Sequence, residues 1–150
     1  MDRISYNTKT YNFKKIIEDW LDVEDLTKLH LIKQYKHFDR EHDQSTIWHE
    51  KFYKLIRTDN TFRKLYKKFL EDVIKPKFKE AIVYQHIPTF RVHLPNNVAV
   101  GEFHKDKDYR NKEWAEEVTE VNYYLPLTDV YDTNTIWVES REDKGDFKPI

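Results

Sequence analysis

Cysteine is absent from this 150-residue chain, and glycine occurs only twice, as Gly101 and Gly145. Without cysteine there is no disulfide, no thiolate zinc site and no cysteine nucleophile. Two isolated glycines cannot build the loop that cradles a phosphate. An excess of charge of either sign is also missing, because 26 basic residues meet 27 acidic ones for a net charge of −1. A phosphate-binding surface usually shows a basic excess, so no nucleic-acid partner is expected. The local run Arg63, Lys64, Lys67 and Lys68 falls in a helical pattern and reads as a solvated face. No apolar run approaches the length that spans a bilayer, and Met1 to Tyr6 lacks the apolar stretch of a signal peptide. The expectation is a cytoplasmic protein without a membrane partner.

What the chain does hold is aromatic bulk. Ten Tyr, nine Phe and four Trp bring the aromatic share to 15%, within a hydrophobic share of 39%. Such rings fill a core or line a pocket. The length suits one structural domain.

Up to about residue 80 the apolar residues follow helical spacing. Phe62, Leu65, Tyr66, Phe69, Leu70, Val73 and Ile74 form one stripe over Thr61 to Ile74. Asp59 or Asn60 can cap its start, and Pro76, with no N–H to donate, ends or kinks it. Phe13, Ile16, Ile17 and Trp20 form a second stripe. Leu26, Leu29, Leu31 and Ile32 with Tyr35 form a looser one, and Ile47, Phe52 and Leu55 suggest a further helix. Residues 1–80 are therefore expected to be a helical region.

From residue 81 the texture changes. Ala81 to His86, Thr89 to Leu94, Val98 to Phe103, Val118 to Leu125 and Thr135 to Val138 are short, rich in β-branched and aromatic residues, and read as strands. Helices followed by a run of strands predict an α+β architecture, with the helices bracing a sheet.

His104-Lys105-Asp106 is the most informative tripeptide. In extended chain, positions i and i+2 share a face, so an imidazole and a carboxylate can aim at one point. Completed by a second His, such a pair forms the facial triad that holds non-haem Fe(II) and leaves positions open. His37-Phe38-Asp39 repeats the pattern at the end of a helical stretch, where i and i+2 diverge, and reads as surface chemistry.

Four blocks give the tripeptide its context: Thr89 to Pro95, Gly101 to Tyr109, Glu120 to Thr128 and Asn134 to Ser140. Together they resemble the Fe(II)/2-oxoglutarate-dependent oxygenases related to phytanoyl-CoA and lipopolysaccharide-sugar hydroxylases, including the streptomycin-biosynthesis oxygenase branch. The resemblance covers residues 80–150. It implies a double-stranded β-helix, the cupin-like jelly roll, with the N-terminal helices packed on it and residues 81–150 as its first part. His104 and Asp106 would bind Fe(II), and 2-oxoglutarate would be the cosubstrate. In that family a later His completes the metal site, and a following Arg pairs with the 2-oxoglutarate carboxylate. In this sequence no His follows His104, and Arg141 comes too early for that role. The barrel is therefore expected to be incomplete and the chain to be a piece of a longer protein. Its unpaired strand edges would favour a homo-oligomer.

The same resemblance gives Asn122 and Tyr124, on one face with Glu120, as cosubstrate or substrate contacts; hydrogen-bonded interior residues are the bland alternative. Arg91 offers a planar fork for a carboxylate, or is an ordinary ion-paired Arg. Trp137 with Glu139 belongs to a substrate cage or to core and rim. His86 and His93 could join His104 in an all-histidine site, or one of them could replace the missing ligand; they differ in strand parity and read as structural histidines. The implied activity couples oxidative decarboxylation of 2-oxoglutarate to hydroxylation of a small polar metabolite or sugar-type substrate. Two alternatives stand beside it: a non-catalytic cupin-like binding module, and a helical adaptor that docks through the Phe62 to Ile74 stripe.

Overall fold

A computed structural model describes residues 3–32, 44–95, 103–105 and 120–150. Helix α1, Phe13–Leu21, starts where the Asn12 side chain accepts a hydrogen bond from the Lys15 amide at 3.1 Å. It stops at Asp22, whose left-handed backbone (φ 60°) lets its own N–H turn back to the Asp19 and Glu18 carbonyls. Phe13, Ile17, Trp20 and Leu21 are buried, as their spacing requires, while Lys15 and Asp19 pair on the wet side. The looser leucine stripe forms a 3-10 helix, Leu26–Leu31, with Leu26 and Leu29 inside and Leu31 exposed. Tyr35 lies outside the described residues.

Helices α2, Ile47–Thr58, and α3, Asn60–Phe69, are joined by one residue, Asp59. The Asp59 carboxylate accepts the Thr61 amide at 2.7 Å, capping α3, and the Trp20 indole N–H at 3.0 Å, tying the joint to α1. After Phe69 the helix widens into a π-helical stretch, Leu70–Ile74, and closes with a 3-10 turn, Lys75–Lys77, that contains Pro76. The helical stripe thus persists to Ile74, as its spacing predicts, and proline ends it.

The helices meet through rings. Phe13 lies 5.3 Å from Phe62 and 5.4 Å from Phe69, and Trp20 lies 5.9 Å from Phe52 and 5.6 Å from Phe62 between centroids. These separations fall in the range in which tilted and edge-on aromatic pairs attract. The burial of α2 is rotated from the expected Ile47–Phe52–Leu55 face. Trp48, His49, Phe52 and Ile56 are inside, whereas Ile47 is 40% exposed. A histidine can sit there because the Thr46 hydroxyl lies 2.7 Å from its Nδ1. The same Thr46 oxygen caps α2 by accepting the His49 amide. Thr46→Val should therefore lower stability by about 1–3 kcal/mol, through the lost cap and the imidazole nitrogen deprived of its hydroxyl. Urea denaturation of Thr46→Val beside Thr46→Ser checks this, with the serine variant close to the parent.

The structure corrects the double-stranded β-helix expectation. Among the described residues the strands are β1, Trp137–Val138, and β2, Lys148–Pro149, paired antiparallel with Trp137 opposite Pro149 and Val138 opposite Lys148. Thr135 to Val138 is thus a strand only in its second half. Ala81 to His86 and Thr89 to Leu94 are not strands, and neither is Glu120 to Leu125. Val118 and Thr119 lie outside the described residues, as do Val98 to Glu102.

The physical reason is visible in residues 78–95, which cross the helical layer as an extended strap. Ile82, Ile87, Phe90, Val92 and Leu94 pack on the helical core, and Phe90 stacks on Phe52 at 4.5 Å. Side chains, not a neighbouring strand, meet several of its backbone groups. Tyr66 donates its hydroxyl to the Gln85 carbonyl at 3.1 Å, Tyr53 accepts the Phe90 amide at 3.2 Å, and Lys75 donates to the Glu80 carbonyl at 2.6 Å. β-Branched and aromatic residues report a half-buried extended surface, and a helical floor provides one as well as a sheet does. No helix among the described residues is long and apolar enough to cross a membrane.

Candidate functional site

A trough of about 2290 Å³ runs between the helical layer, the strap and the extended segment 120–134. Phe52, Phe62 and Phe69 contribute to its apolar floor, and Tyr66, Tyr84 and Tyr124 add phenol groups. Burial, and then the neighbouring Tyr84, raise the Tyr66 phenol above its ordinary value. Lys77, Lys79, Arg91, Glu80, Glu120 and Asp129 bring both signs of charge to the lining. The volume of the trough exceeds the roughly 300–1,000 Å³ of an ordinary small-molecule pocket.

Three of the residues expected to contact cosubstrate or substrate, Arg91, Asn122 and Tyr124, line this trough. The strap positions the first by alternation. Val92 and Leu94 are buried against the helices, so Arg91 and His93 are exposed on the opposite side, and both line the trough. His93 was expected to be structural; the strict alternation of polar and apolar residues from Arg91 to Leu94 is the signal that places it beside Arg91. Its Nδ1 lies 3.3 Å from the Asn134 carbonyl, which joins the strap to the opposite wall.

Trp137 lies apart from the described lining. It belongs to β1 and donates its indole N–H to the Asp132 carbonyl at 2.8 Å. His104 is also outside that lining. Its neighbours dock on the turn that joins β1 to β2: Phe103 stacks on Phe147 at 3.6 Å, and Lys105 pairs with Asp143 at 2.6 Å and Glu142 at 3.0 Å. Those carboxylates hold the Lys105 ammonium well above its ordinary range. His104, between Phe103 and Lys105, is exposed. Asp106 lies outside the described residues. Among the described residues, no three His, Asp or Glu side chains converge to hold a metal.

The β1–β2 turn is held by carboxylates. Glu139 accepts the Asp143 amide at 3.0 Å and the Gly145 amide at 2.9 Å, where left-handed Gly145 (φ 71°) gives the turn its shape. Asp146 accepts from the Ser140 amide at 3.0 Å and its hydroxyl at 2.9 Å, and pairs with Lys144. The Ser140 amide, then Lys144 and the Ser140 hydroxyl, pull the Asp146 carboxyl from 3.8 to about 2. Asp25 falls to the same level through the Thr27 hydroxyl and amide, then Lys28. In both cases the folded value lies below the unfolded one, so their stabilisation is present above the unfolded value and is lost as pH falls toward the folded one. The urea midpoint should hold steady above about pH 5 and decline between about pH 4 and 2. The double variant Asp25→Asn, Asp146→Asn should decline less steeply. Both carboxylates are at the surface, where solvent screens them, so the expected change is a shift in midpoint and not a loss of fold.

No protein-family profile matches the chain, and no solved structure matches it. The streptomycin biosynthesis protein StrG of Streptomyces griseus is 35% identical to it over 149 residues, which cover 99% of this chain and 69% of that protein. The match therefore takes in the helical layer, the strap and the His104-x-Asp106 segment together. On that likeness, the chain belongs to the family of the Streptomyces griseus protein StrG.

Proposed function

We propose that this protein is a non-haem Fe(II)/2-oxoglutarate-dependent oxygenase that hydroxylates a small polar or sugar-type metabolite in the cytoplasm. The observation that carries the reading is the pair His104 and Asp106, set among the ordered blocks from Thr89 to Ser140. One neutral nitrogen and one anionic oxygen, two positions apart, suit two positions of an iron site. The name of the relative ties that protein to streptomycin biosynthesis, and we extend to this chain a part in small-molecule biosynthesis.

His104 and Asp106 would hold the metal. Bound Fe(II) would supply oxygen activation coupled to decarboxylation of 2-oxoglutarate. The work of the chain is binding and orientation. Arg91 offers a planar cation for a carboxylate, and Asn122 and Tyr124 present an amide and a phenol from the facing segment. Incubation with Fe(II), 2-oxoglutarate and a panel of polyol and amino-sugar substrates tests the reading. The expected result is iron-dependent succinate release that rises with the correct substrate. Ligand binding in the trough with neither iron binding nor succinate release would replace the oxygenase with a non-catalytic binding module.

A further inference from the structure

From Ala81 to Gln85 the strap runs without a bend, and its main chain is open. The Gln85 carbonyl, which accepts the Tyr66 hydroxyl at 3.1 Å, is the main-chain group of this stretch that has a hydrogen-bond partner among the described residues. Ile82 packs on the helical core and the Tyr84 ring meets Tyr66 at 6.0 Å, while Val83 between them is 102% exposed. A bare apolar residue on an unpaired extended main chain is the form in which a protein takes up another strand. This stretch is complementary to itself. Laid antiparallel on a second copy with Val83 on the two-fold axis, it sets Ile82 opposite Tyr84 and Glu80 opposite His86. Glu80 and His86 are exposed, and neither side chain has a partner among the described residues. The two-fold operation makes that carboxylate–imidazole pair twice, and a net charge of −1 leaves little repulsion between copies.

We propose that this stretch of the strap is a self-association edge, through which two copies of the chain pair antiparallel about Val83. Ile82 and Tyr84 exchange main-chain hydrogen bonds across the axis, which leaves the Gln85 carbonyl to Tyr66. The contact is short, so the association is weak and depends on concentration. It makes no use of iron, and a failed oxygenase assay leaves it standing. Sedimentation over a dilution series should show the 18.5 kDa chain passing to twice that mass as concentration rises. Val83→Lys puts two like charges on the axis and should abolish the heavier species. Its urea midpoint should match the parent, because the valine side chain is fully exposed. Glu80→Lys should weaken association about twofold to thirtyfold, and adding His86→Glu should restore it. Because the chain holds no cysteine, Val83→Cys can form a disulfide only between copies. Under mild oxidation it should do so faster than Leu31→Cys, an exposed position in another element. A chain that stays monomeric up to millimolar concentration would overturn the pairing and leave the edge to water or to an unlike strand. Association that survives Val83→Lys, a charge swap that fails to restore it, or a Val83→Cys protein that cross-links no faster than Leu31→Cys would overturn it as well.

Discussion

His104→Ala and Asp106→Ala proteins supplied with Fe(II) and 2-oxoglutarate should release succinate about 100-fold or more slowly than the parent. Loss of a residue that merely supports a metal ligand commonly costs 10- to 100-fold, so loss of a ligand itself should reach or exceed the upper end. His104 is exposed and outside the core cluster, so helical content and the urea midpoint of His104→Ala should match the parent. Unchanged folding beside lost iron affinity separates a ligand from a packing residue. His37→Ala, which breaks the other His-x-Asp tripeptide, is the control and should leave turnover intact. Equal iron affinity in the parent and in both ligand variants would end the oxygenase reading.

Phe52→Ala carries the largest expected effect on stability, about 3–5 kcal/mol. Phe52 is 1% exposed and touches rings from three directions: Trp20 of α1 at 5.9 Å, Phe62 of α3 at 5.7 Å, and Phe90 of the strap at 4.5 Å. Truncation removes the ring and leaves a hole that rigid neighbours cannot fill. Because native proteins are stable by only about 5–15 kcal/mol, this one change would consume a large share. Phe52→Leu, which keeps most of the volume, should cost roughly 1.5 kcal/mol or less. A drop in the urea midpoint at unchanged slope checks both. A loss below about 1 kcal/mol for Phe52→Ala would mean that the ring cluster repacks. The strap should loosen with it, because Phe90 loses its stacking partner immediately before Arg91 and His93.

The helical layer was legible because helical spacing and capping are local. Phe13, Ile17 and Trp20 occupy the face that their intervals require, and Asp59 and Pro76 bound the third helix as their chemistry dictates. The face of α2 was not legible, because reading apolar residues alone overlooks a buried His49 that a capping threonine satisfies. The sheet was misread for a reason of the same kind. Val83, Tyr84, Val92 and their neighbours carry the preferences of extended chain, but what an extended chain pairs with is decided elsewhere in the sequence. Here tyrosine hydroxyls and a lysine from the helical layer do part of the work of a strand ladder. At the candidate site, Arg91, Asn122 and Tyr124 line one concavity. His93 was read as structural because its strand parity differs from that of His86.

The single-residue joint at Asp59 leaves the chain no slack between α2 and α3. An added residue taken up into the start of the helix would turn the whole of α3 by about 100° about its axis. Phe62 and Phe69 would swing out toward water, and lysines such as Lys64 and Lys68 would swing in. Insertions that a longer connection would absorb should therefore be forbidden at this point, and natural length variation in relatives should fall elsewhere.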